Sequence, residues 1–121
     1  MISIAISSEL KNTRCGVYAL LFSNGKFYIG ASRDIQNRIK NHRRMFYSGF
    51  KRQQSALALK KMNKFRGHVS FILLESFDIN SVPNKPLYGI PKELLDREAF
   101  YIKSNATNKK MLNAVPMRWL V

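Results

Sequence analysis

Short apolar runs separated by polar turns divide the chain into strand-like and helix-like stretches. Residues 2–6, Ile-Ser-Ile-Ala-Ile, alternate with a period of two and form a short strand or an ordered arm. Residues 16–22 and 27–31 are apolar on both sides of Ser23-Asn24-Gly25, which marks a hairpin. After them Ile35, Ile39 and Phe46 recur at helical spacing. The expected helix runs from an N-cap at Asp34 to about Tyr47, and Ser48-Gly49 breaks it. A second basic helix is expected from about Ser55 to Phe65, ending at Gly67. Residues 69–77 form the next strand, followed by a loop holding Pro83, Pro86 and Gly89. Pro91 suits the first turn of a third helix over about 92–104, whose apolar face is Leu94, Leu95, Tyr101 and Ile102. The apolar tail from Met111 is expected to pack back on the domain.

This order, two strands, two helices, a strand and a helix, predicts an α+β fold. Its centre is a small three-stranded antiparallel sheet flanked by helices. Residues 1–121 are the size of one domain, with no internal repeat or low-complexity tract. No apolar run approaches the roughly 18 residues of a membrane span. The first eight residues lack the basic and apolar regions of a signal peptide. Cys15 is the single cysteine, so intramolecular disulfides and cysteine-based zinc fingers are excluded. An intracellular, cytoplasmic location is the expectation that follows.

Charge changes the picture more than any other bulk property. Lys and Arg number 21 against 7 Asp and Glu, for a net charge of +14. Such an excess favours a polyanionic partner, with nucleic acid the leading candidate and an anionic membrane surface or a simply solvated basic face the alternatives.

Two tripeptides carry a sharper signal. Gly16-Val17-Tyr18 and Tyr28-Ile29-Gly30 sit on the two hairpin strands, and the second leads directly into the basic helix. The stretch resembles the signature of the GIY-YIG nuclease family, and the resemblance extends from Gly16 to about Asn113. A two-residue Asn24-Gly25 turn would put Tyr18 and Tyr28 on opposite faces. A three-residue Ser23-Asn24-Gly25 loop pairs Tyr18 with Gly30 and Leu20 with Tyr28, so the tyrosines share a face. Gly25 fits the left-handed last position of that loop, and a shared site requires it. On the following helix Arg38 and His42 lie one turn apart at the edge of the apolar stripe, near the sheet. Lys40, Arg43 and Arg44 point outward and suit phosphate contacts, as do Lys60 and Lys61 on the second basic helix.

Glu98 stands out without any resemblance. It falls on the apolar face of the third helix, where a carboxylate is costly unless paired or bound to a cation. A hard divalent cation would neutralise it. The family pattern places a metal-binding glutamate on this helix and an asparagine shortly after it, which matches Glu98 and Asn113. The resemblance thus implies a stand-alone endonuclease domain that hydrolyses phosphodiester bonds of double-stranded DNA with one Mg²⁺ or Mn²⁺ held by Glu98. Tyr18 would be the general base or water-orienting group, helped by His42, Arg38 or the metal, and Tyr28 would position water or the scissile phosphate. Arg38 would stabilise the transition state, and Asn113 would hold the site or the DNA backbone. Double-strand cleavage would call for a homodimer or a protein partner. The compact form suits a phage or mobile element. The alternative is a non-catalytic basic module that binds nucleic acid on the same scaffold.

Overall fold

The computed structural model describes residues 3–48, 65–81 and 89–115. Its elements are β1 (Ser3–Ile6), α1 (Ser8–Lys11), β2 (Gly16–Phe22), β3 (Phe27–Ser32), α2 (Ile35–Ser48), β4 (His68–Ser76) and α3 (Lys92–Ser104). The expected second basic helix, with Lys60 and Lys61, and the loop prolines Pro83 and Pro86 lie outside the described residues.

The sheet has four strands in the order β1-β4-β2-β3, not the three expected. The additional strand is the alternating run at the start of the chain. It pairs parallel to β4 through Ser3↔His68 to Ile6↔Phe71, so the sheet is mixed rather than antiparallel throughout. Ile4 and Ile6 pack against the core beside β4, so pairing and burial favour strand over arm. A short helix not anticipated from the pattern, α1, follows at once. The Ser7 hydroxyl caps it by accepting from the Leu10 amide at 3.3 Å.

Alternation along β2 sorts its side chains onto two faces. Tyr18, Leu20 and Phe22 join Ile35, Ile39 and Phe46 of α2 in one apolar cluster. Val17 joins Ile29, Ala31 and Leu94 of α3 in the other. The helices α2 and α3 therefore cover opposite faces, in three layers. Asp34 caps α2, its Oδ1 accepting from the Asn37 amide at 3.2 Å. Pro91 is the N-cap residue of α3 and not part of its first turn. Leu95 is 43% exposed, so it does not belong to the buried face, which is Leu94, Glu98, Tyr101 and Ile102. That face follows steps of three and four residues, and Leu95 lies about 100° away from Leu94.

The hairpin takes the three-residue loop. Tyr18 pairs with Gly30 and Leu20 with Tyr28. Gly25 has φ +91°, and its amide donates to the Phe22 carbonyl at 2.9 Å. Between β2 and β4 the register shifts at Val17/Tyr18, so Glu75 rather than Leu74 opposes Val17. This bulge turns Glu75 from the α2 face to the α3 face.

Candidate active site

The outer edge of β3 organises the site. Residues 28 and 30 bond inward to β2, which leaves the backbone of residues 27, 29 and 31 facing outward. Each is satisfied. The Phe27 amide donates to the Lys110 carbonyl at 3.0 Å, and the Leu112 amide donates to the Phe27 carbonyl at 2.8 Å. The Asn113 side chain makes both bonds to Ile29: Oδ1 accepts from its amide at 2.8 Å, and Nδ2 donates to its carbonyl at 2.7 Å. The Ala31 amide donates to Glu98. Asn113 and Glu98 are thus neighbours along one strand edge, and Asn113 uses its amide on backbone.

On the α2 face, the two tyrosines lie side by side. The Tyr18 ring rests on Gly30; a Cβ there would stand 2.5 Å from the hydroxyl oxygen and 2.6 Å from Cζ. A glycine is therefore required at that position for the ring to lie flat on the strand. The Tyr18 hydroxyl is 2.8 Å from His42 Nε2, and Arg38 hydrogen-bonds it as well. Tyr28 is half-buried, its ring 6.2 Å from the imidazole of His42. Arg38 and His42 thus project together toward the sheet. Lys40, Arg43 and Arg44 are exposed on α2.

Burial sets the electrostatics. It drives the Tyr18 phenol far above its ordinary pKa, with Tyr28 and Glu98 adding to the rise and Arg38 opposing it. The Tyr28 phenol is raised by burial and then by Glu98. His42 is lowered to about 3 by burial and by the charge of Arg38, so its imidazole is neutral at physiological pH.

The tautomer follows from hydrogen-bond accounting. His42 Nδ1 is buried with no partner among the described residues. A proton there would be an orphaned donor, the rarer and costlier defect. On the described residues the proton is assigned to Nε2, which then donates to Tyr18. The Tyr18 oxygen then accepts from His42 and Arg38, and its own O–H points away from both.

Glu98 is half-buried, and burial raises its carboxyl pKa; the Ala31 amide and Arg38 pull it back. Its rotation about α3 is fixed by a second cluster. Arg97 donates to both oxygens of Glu75, at 2.7 and 2.8 Å, and Tyr101 donates to Oε1 at 2.9 Å. Arg97 also lies 4.7 Å over the Phe100 ring. The bulge at Leu74 makes this clamp possible, because it is what faces Glu75 toward α3. Among the described residues no group of three or more His, Cys, Asp and Glu can cage a metal. A raised, half-buried carboxylate with one backbone bond fits a hard divalent cation that takes the rest of its ligands from water and phosphate.

Beside Arg38 opens a cleft of about 240 Å³, lined by Ala31, Arg33, Asn37, Arg38, Asn41 and Gly89. Arg33 closes its rim by donating to the Gly89 carbonyl at 3.3 Å. Asn37 and Asn41 are not among the site residues expected from sequence, although their spacing of four places them on one helix face beside Arg38.

Comparison with known proteins agrees with this layout. Residues 14–111 match the sequence model of the GIY-YIG catalytic domain. Among solved structures, the chain is similar to the catalytic domain of the homing endonuclease I-TevI. That match has a TM-score of 0.61 and 22% identity, covering 84% of this chain and 99% of the other. A point mutant of the intron endonuclease I-TevI catalytic domain aligns with a TM-score of 0.58 and 21% identity, covering 82% and 91%. At that identity the likeness is one of fold. No curated protein sequence matches.

Proposed function

The chain belongs to the GIY-YIG catalytic-domain family of nucleases, and from that premise we propose that it is a metal-dependent DNA endonuclease whose site is the edge of β3. The observation that carries this reading is the convergence of Tyr18, Tyr28, Arg38 and Glu98 on β3, where Arg38 hydrogen-bonds the Tyr18 hydroxyl over Gly30 and Glu98 accepts from the Ala31 amide, in a chain of net charge +14. Members of the family generally depend on a divalent metal. Glu98 would hold Mg²⁺ or Mn²⁺, which would supply Lewis-acid activation of a phosphate oxygen and of water.

The chain's own groups divide the remaining work. Hydrolysis adds water to phosphorus and expels the 3′ oxygen, which leaves as a hydroxyl while the phosphate stays on the 5′ end. Negative charge builds on the phosphate oxygens in the transition state, and the Arg38 guanidinium is the fixed positive group to offset it. Tyr28, only half-buried, contacts the phosphate or water directly. Tyr18 acts as an orienting donor rather than a general base, because burial puts its phenolate out of reach at neutral pH. His42 keeps the Tyr18 hydroxyl turned toward the site. Asn113 positions the site through the β3 edge, and Lys40, Arg43 and Arg44 contact flanking phosphates.

An end-labelled DNA duplex tests the reading. Incubation with Mg²⁺ or Mn²⁺ yields fragments with 5′-phosphate and 3′-hydroxyl ends, and Arg38→Ala slows single-turnover cutting by about 10²–10³-fold. Duplex binding without cutting under any metal would replace this reading with the non-catalytic module.

A further inference from the structure

The hairpin end of the sheet carries bases and no acid among the described residues. The seven acids stand at positions 9, 34, 75, 78, 93, 96 and 98, and none falls within 23–26, 65–68 or 105–111. Those three segments meet at the hairpin end. The Ser23 amide donates to the His68 carbonyl at 2.8 Å, and the Phe27 amide donates to the Lys110 carbonyl at 3.0 Å. Lys110 Nζ lies against the turn, 3.1 Å from where a Cβ of Gly25 would be. The three segments carry Lys26, Arg66, Lys109 and Lys110, all exposed. Like charges gathered round one turn repel one another in the free protein, and a polyanion relieves that repulsion.

We propose that this basic cap, centred on Lys26 and Lys110, is a second phosphate-binding surface that holds the duplex on one side of the cut. It is separate from Lys40, Arg43 and Arg44 of α2. The proposal rests on the reading that the chain acts on DNA. Lys26 immediately precedes β3 and stands five residues from Ala31, about 17 Å at roughly 3.4 Å per residue of extended chain. Duplex phosphates recur about every 3.4 Å of axis on each strand. A duplex lying along this edge therefore meets the cap about five base pairs from the scissile phosphate.

The test is the salt dependence of binding to a fluorescent duplex in EDTA, for the native chain, Lys26→Gln/Lys110→Gln and Lys11→Glu. Both variants lower the net charge by the same amount, but Lys11 sits on α1, on no part of the β3 edge. Losing two phosphate contacts lowers the slope of log K against log salt by about 1.8. That is the expected result for the double variant, with the Lys11 variant keeping the native slope. A native slope in the double variant, or equal loss in both variants, overturns the proposal. If the native chain and Lys11→Glu also fail to bind DNA, the reading of function falls with it. Should the double variant unfold, each single Lys→Gln change is expected to lower the slope by about 0.9.

Discussion

Asn113→Ala separates a structural role from a chemical one. The side chain makes two bonds to one residue, at 2.8 Å to the Ile29 amide and 2.7 Å to its carbonyl. Ile29 is 2% exposed, so truncation strands both backbone groups where water reaches them poorly. An unsatisfied buried polar group costs about 1–3 kcal/mol. Water entering the space left by the amide recovers part of this, and a total loss of about 2–3 kcal/mol is expected. With an unfolding entropy of about 2.1 cal/mol/K per residue, the midpoint of a chain this size falls by about 8–12 °C. Urea unfolding should show a lower midpoint at unchanged m-value. Single-turnover cutting, measured well below the lowered midpoint, should stay within a few-fold of native. An unchanged melting temperature with cutting reduced more than a hundredfold would refute the argument and move Asn113 into the chemistry.

Other outcomes follow from the same geometry. Gly30→Ala drives a Cβ into the Tyr18 phenol, 2.5 Å from its oxygen. It should destabilise by about 1–3 kcal/mol in urea and suppress cutting. Tyr18→Phe leaves both nitrogens of buried His42 without a partner among the described residues and removes the orienting hydroxyl. It should lose about 1–3 kcal/mol in urea and most single-turnover activity, and full activity would contradict the role given to Tyr18. For Glu98, whose folded pKa is raised, ionisation penalises the native state; the stability is full below the unfolded pKa and declines as pH rises through the folded one. Glu98→Gln should therefore raise the melting temperature at pH 7 in the absence of metal, with the gain shrinking toward pH 4. A gain independent of pH would refute the shift.

Much of the candidate site's layout was legible because it depends on local spacing. Loop length sets hairpin register, and register puts Tyr18 and Tyr28 on one face. Four residues of helix bring Arg38 and His42 to the same point. A carboxylate on an apolar face marked Glu98. What depended on distant partners stayed hidden. The alternation of residues 2–6 says strand, but not that its partner is β4 or that the pair is parallel. The bulge at Leu74 leaves no mark in the apolar pattern, yet it decides where Glu75 faces and so how Arg97 holds α3. Asn113 reads as a site residue, while its role at the β3 edge appears only when 110–113 is laid beside 27–31. Leu95 was misplaced because a wide apolar stripe does not reveal which side of it meets the sheet.

Cleavage of supercoiled plasmid by the native chain and by Glu98→Ala, each with Mg²⁺, Mn²⁺ or EDTA, tests the central claim most directly. The account predicts nicked or linear product from the native chain only with metal, and intact plasmid from Glu98→Ala throughout. Cutting that survives EDTA, or equal cutting by both proteins, would contradict the assignment of a metal-dependent site to Glu98.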